Sequence, residues 1–282
     1  MNISNQIESI VDQLIVIPGI EAVVLGGSRA RGIHTESSDI DLGIYYSPSR
    51  PIDLSALARL ATEIDDEHRE NLVTGFGGWG PWINGGGWLT VNGLPVDFLY
   101  RDLDKVMRVI NDCRAGRVET VYQPGHPFAF VSAIYLSEIA LCRPLWDPYE
   151  TIENLKAQVS PYPQQLKKAI LESFWWEVDF SLGIAEKSIS RGDVTYAAGS
   201  CFRAAICLMQ VLFAVNEQYW MNEKGAVALA AGFQKSPARL RERVEQAFIQ
   251  LNGSGTSITV AIDVLQELAG ESENWVSEYN AT

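Results

Sequence analysis

The chain has 282 residues, 47% of them hydrophobic, and carries a formal net charge of −13 at pH 7. That length is ample for two domains with a core each, and the composition is globular, without a low-complexity tract that would favour disorder. The acidic balance weighs against broad nucleic-acid binding, which depends on neutralising phosphates, and suits a cationic acceptor better.

In chain order, Ile7, Ile10, Val11, Leu14 and Ile17 recur at helical spacing, and Pro18-Gly19 stops that helix. Residues 20–25 are short and apolar, as a buried strand should be. Gly26 and Gly27 follow without a Cβ to hold a ligand off, and Ser28 opens a short helix that can offer its N–H and hydroxyl to a phosphate. Residues 39–45 alternate as a strand does. Ile40, Leu42 and Ile44 share one face, and Asp39 and Asp41 the other. Two carboxylates on one strand face beside a phosphate-binding turn make a divalent-metal platform, and magnesium prefers such hard oxygens.

Further on, Asp53 caps a helix over 53–64, and residues 65–69 are expected to form a solvated loop with His68 at the surface. Residues 75–88 interleave tryptophans with glycines. They read either as a mobile rim with aromatic surfaces for a base or acceptor ring, or as a bulged, twisted strand whose tryptophans cover the core. Residues 88–100 form a hairpin with Asn92-Gly93 at a type I′ turn, which puts Asp97 on a strand able to lie beside the Asp-x-Asp strand. Helices are expected over 102–110 and 128–140, then a Pro-containing edge strand over 141–147.

From Gln164 onward the pattern is helical. A long amphipathic helix reaches Ile189, and the next, over 196–219, is apolar nearly all round, as a central bundle helix would be. Further helices are expected over 237–251 and 258–268. Cys113, Cys142, Cys201 and Cys207 form no Cys-x-x-Cys pair and read as reduced, packed thiols. The start of the chain lacks a basic n-region, and the apolar run 204–215 is too short to span a bilayer. A cytoplasmic protein with no membrane partner is expected.

Gly27-Ser28 followed by Asp39-x-Asp41, with Asp97 on a later strand, resembles the signature of the nucleotidyltransferase superfamily that includes DNA polymerase β and the antibiotic adenylyltransferases. The resemblance implies an α+β fold. A nucleotidyltransferase domain with a mixed β-sheet flanked by helices occupies 1–150, and an all-α helical bundle 151–282, with the active site in the cleft between them. It implies two Mg2+ ions on Asp39, Asp41 and Asp97, with ATP as co-substrate. Asp97 serves there as metal ligand, general base or both.

Gly27 and Ser28 are then the nucleotide-binding turn. Arg29 and Arg31 each read as a phosphate contact or as an ordinary surface or ion-paired arginine, with Arg31 preferred. Arg203 on the central bundle helix and Lys224 on the loop after it resemble the phosphate-binding pair of the streptomycin/spectinomycin adenylyltransferases, although an ion pair for Arg203 with Glu172 or Glu177 stays open. Glu172, Glu177, Asp179 and Glu223 read as acids able to receive an acceptor's ammonium groups, or as ordinary surface acids. The implied activity is Mg-dependent transfer of AMP from ATP to a hydroxyl of a small molecule, an aminoglycoside-like antibiotic among the candidates, with antibiotic resistance as the role. The alternatives are a toxin-type nucleotidyltransferase acting on tRNA or protein, and a nucleotide-binding regulator without turnover. The sequence leaves the oligomeric state open.

Overall fold

The computed structural model describes residues 3–280. The chain runs α1 (Ile3–Leu14), β1 (Ala22–Leu25), α2 (Gly27–Ala30), β2 (Ile40–Tyr46), α3 (Leu54–Ile64), α4 (Gly80–Ile83), β3 (Gly86–Val91) and β4 (Leu94–Asp102). Next come α5 (Leu103–Arg114), β5 (Thr120–Val121), β6 (Phe130–Val131), α6 (Ile134–Leu141), β7 (Arg143–Trp146) and α7 (Thr151–Val159). The remainder is helical: α8 (Gln164–Glu186), α9 (Val194–Val215), α10 (Ala226–Ala230), α11 (Leu240–Ile249) and α12 (Gly255–Asn280). Two compact units result. One comprises residues 1–112 and 135–161, the other 113–134 and 162–282.

The first unit is built on a five-stranded sheet in the order β3-β4-β2-β1-β7, with β2 and β4 parallel and every other pair antiparallel. Strand alternation sends Val23, Leu25, Ile40, Leu42, Ile44, Leu89, Val96, Phe98 and Tyr100 into one core with Ile10 and Leu14 of α1 and Leu57 of α3. Asp53 caps α3 by accepting from the Ala56 N–H at 2.9 Å. β7, with Pro144, lies at the sheet edge, where a missing N–H is tolerated. Asn92 and Gly93 both have positive φ, as the type I′ hairpin requires.

Residues 66–69 are exposed in a loop, as expected, and Asp65 alone departs. Asp65 is buried, receives the N–H of Thr90 at 2.9 Å and holds Arg69 in a two-pronged ion pair. Asp66 accepts from the N–H groups of Asn92 and Gly93, both at 2.7 Å. These acids are clamps on the hairpin, while His68 is exposed as expected.

The glycine-tryptophan segment fits neither reading whole. It forms α4, tied down by Tyr135 Oη–H to the Trp82 carbonyl at 2.7 Å, Arg101 to the Ile83 carbonyl at 2.8 Å, and Lys105 to the Pro81 carbonyl. Arg101 is itself buried and paired with Glu138 of α6 at 2.5 Å.

In the second unit β5 and β6 pair as a small antiparallel ribbon. Helix is therefore absent from 128–133, where one was expected. Phe130 and Val131 enter a strand instead, and α6 starts only at Ile134. α8 and α9 pack together along their lengths, with α12 against both and α10 between α9 and α11. Asp193 caps α9 by accepting from the Tyr196 N–H at 3.1 Å. By length and composition α9 could cross a membrane, but 72% of its apolar window is buried within the protein, as befits a core helix. All four cysteines are buried and outside any disulfide.

Candidate active site

β1 delivers the chain to Gly26, whose N–H donates to the Asp41 carbonyl at 2.8 Å, so the turn stays bound to β2. Gly27 has φ of +58°, and a Cβ there would lie 1.8 Å from Asp41 Oδ2. Only glycine fits a left-handed backbone pressed against that carboxylate. Ser28 sits in the first turn of α2.

Asp39 immediately precedes β2, and its position is set from outside the strand. The buried Arg29 side chain donates through Nε to the carbonyls of Ser38 and Asp39, both at 3.0 Å, and through Nη2 to the Ser38 carbonyl at 2.5 Å and the Glu36 carbonyl at 3.3 Å. Arg29 is thus a clamp on the segment leading into the Asp-x-Asp strand. Sequence reasoning missed this role, because nothing in the spacing says which arginine turns back. Arg31, half-buried, makes no side-chain hydrogen bond or ion pair among the described residues, and desolvation lowers its pKa from the ordinary value. A half-buried cation without a counter-charge beside a glycine turn is suited to an anion.

Asp41 and Asp97 are cross-strand partners in the parallel β2–β4 register, which puts both on one face of the sheet. Burial first, then the neighbouring charges of Asp41 and Asp39, push the Asp97 carboxyl up to about 6. Among the described residues no three carboxylate, histidine or cysteine side chains are already drawn together as a metal cage. The donor chemistry nonetheless fits magnesium. Hard carboxylate oxygens are paired side by side, and the part of the Asp97 shift that comes from Asp41 and Asp39, second to burial, is repulsion that a divalent cation would relieve.

An aromatic side chain also shares this face. Trp88 of β3 is the cross-strand partner of Asp97, remains 63% exposed, and stacks on Trp79 with ring centroids 4.6 Å apart and planes 20° from parallel.

The other candidate residues lie in the helical unit. Arg203 is ion-paired with Glu177 and lies over the Phe128 ring at 4.9 Å. Lys224 is exposed, and its ammonium group has no partner among the described residues. Glu223 accepts the N–H of Phe128 at 2.8 Å, which ties its loop to the β5–β6 ribbon, whereas Glu172 and Asp179 are exposed.

Residues 5–74 match the family model described as Polymerase beta, Nucleotidyltransferase. Together with the sheet and its helices, this defines an α+β protein with an N-terminal nucleotidyltransferase domain and a helical C-terminal part. Residues 131–224 match a second family model, a domain of unknown function (DUF4037). A solved structure of a nucleotidyltransferase-like protein from Exiguobacterium sibiricum 255-15 aligns over 96% of this chain and 76% of its own, at 13% identity and a TM-score of 0.46. No curated protein matches the sequence.

Proposed function

We infer that this chain transfers a nucleoside monophosphate, AMP from ATP, to a hydroxyl of a small molecule. The observation that carries the reading is Asp41 in register with Asp97, one strand from the Gly26–Ser28 turn. In the reaction the acceptor oxygen forms a bond to the α-phosphorus, the bridging bond to the β-phosphate breaks, and pyrophosphate leaves. Asp39, Asp41 and Asp97 would hold two magnesium ions, which would supply charge neutralisation and acidify the acceptor hydroxyl. Gly27 and Ser28 hold the triphosphate against the turn, and Arg31 neutralises its outer charge. Asp97, whose carboxyl is raised only to about 6, is ionised at neutral pH and takes the hydroxyl proton.

Of the candidates Arg203 and Lys224, Lys224 is the better phosphate contact, since Arg203 is engaged by Glu177. Lys224→Met is expected to raise the KM for ATP, and an unchanged KM removes Lys224 from the site.

The acidic chain favours a neutral or cationic acceptor over a nucleic acid. An aminoglycoside-like antibiotic acceptor would make the role one of resistance, exercised in the cytoplasm. Incubation with each nucleoside triphosphate, magnesium and pooled antibiotics and metabolites, followed by mass spectrometry, tests the reading. An acceptor heavier by one nucleoside monophosphate is expected, and no product from Asp41→Ala. Near-wild-type turnover in Asp41→Ala defeats the assignment. Tight ATP binding without pyrophosphate release from any pool turns the reading to a non-catalytic regulator.

A further inference from the structure

The carboxylate row has an aromatic end. Across the face of the sheet the order is the Gly27 turn packed on Asp41, then Asp97, then Trp88, each one strand from the last. With strands about 4.8 Å apart, Trp88 stands about 10 Å from Asp41, roughly a small ring plus one phosphoryl group.

Trp79 reaches Trp88 because β3 has no side chain in the way. A Cβ on Gly86 would lie 2.7 Å from the Trp79 ring. One face of Trp88 is thus backed by a second indole while 63% of the residue remains open. Packing that leaves so large an apolar surface beside two carboxylates does nothing for the core, which lies on the opposite face.

We propose that the Trp79–Trp88 pair is the acceptor subsite, and that it takes a hydroxylated ring of no net negative charge, stacked on the open indole with its hydroxyl toward Asp97. This rests on the transfer reading above and adds the class of acceptor to it. With the triphosphate at the glycine turn, an oxygen attacking the α-phosphorus opposite the leaving pyrophosphate approaches from the far side of the carboxylates, and Trp88 is what the sheet presents there. An indole face attracts ring C–H groups and cations. The adjacent acids repel anions.

The test uses the full chain labelled at the indole nitrogens of its eight tryptophans, with Trp79 and Trp88 assigned by Trp→Phe substitution. Phenyl β-D-glucopyranoside and tyramine are titrated to millimolar concentration, and phenyl phosphate serves as the anionic control. The Trp88 and Trp79 signals are expected to move and saturate with at least one of the first two. Phenyl phosphate is expected to leave them in place. Trp88→Leu, at an exposed position that should not disturb folding, is expected to weaken that binding at least tenfold, and Trp88→Phe to retain most of it.

The proposal is overturned if neither neutral nor cationic ring moves the pair, if only other indoles respond, or if phenyl phosphate moves the pair equally. Asp41→Asn separates this outcome from the transfer reading. It should abolish turnover and leave ring binding intact. In the wild-type chain, transfer without ring binding sinks the subsite alone, and ring binding without transfer sinks the reading it rests on, as does turnover retained in Asp41→Asn.

Discussion

Gly27 and Asp41 are a matched pair, so changing the first disables the second. Gly27→Ala imposes a left-handed conformation on a side chain and drives its Cβ into the Asp41 carboxylate. A loss of about 1–3 kcal/mol in chemical denaturation and no transfer activity are expected. Wild-type activity in this variant would mean that the carboxylate can leave the turn without consequence. Asp97 gives a pH signature. Its carboxyl is raised on folding, so the folded chain holds that proton more tightly than the unfolded one, and stability falls as pH climbs from the ordinary value near 4 through about 6. Asp97→Asn is therefore expected to melt higher than wild type at pH 8, with the gain gone at pH 4. An equal gain at both values would point to packing instead. Transfer by the wild type is expected to fall in acid as the base is protonated, at a pH below the metal-free value of about 6, because bound magnesium favours the carboxylate. Arg29→Lys keeps the charge but loses the planar fork that grips three carbonyls, so a higher magnesium requirement is expected with the KM for acceptor unchanged. A metal titration monitored by activity checks it. Asp41 and Asp97 were legible because strand alternation assigns each a face, whereas Asp39, just ahead of β2, is positioned by Arg29. That Asp97 stands opposite Asp41 was not legible, since register is fixed by pairing and not by spacing.

At the scale of elements, strongly periodic segments were readable and those held by distant partners were not. α1, α3, β2, the β3–β4 hairpin and α9 follow their patterns closely. The run from 65 to 69 looked solvated because its residues are charged. Most of it is, but Asp65 is buried, and Asp65 and Asp66 accept from backbone donors of a hairpin more than twenty residues away. Asp66→Ala is expected to cost about 0.5–1.5 kcal/mol, the net loss when water replaces the carboxylate at the exposed N–H groups of Asn92 and Gly93. It should also lower transfer, because β4 carries Asp97. Hydrogen exchange at Asn92 and Gly93 is the direct measurement, and protection at wild-type level would deny the clamp. The apolar stretch before α6 has helix-compatible composition, yet Phe130 and Val131 pair with Val121 and Thr120, a tertiary choice that a local window does not contain.

Over the whole molecule, the four buried thiols predict inertness. Burial holds those of Cys142 and Cys201 at about 11, and Cys207 higher still. A thiol reagent at pH 8 is expected to label all four only after denaturation, and rapid native labelling would contradict their burial. Residues 113–134 fold with the helical unit although they lie upstream of α6, β7 and α7, which belong with the sheet. The polypeptide therefore passes from one unit to the other three times. Cutting it once, just after Pro161, yields an N-terminal piece that still owns a stretch of its neighbour's interior. The two pieces should travel as one particle on a sizing column and come apart only in denaturant, so this protein is tied by its thread as a splice is tied, and no single break undoes it.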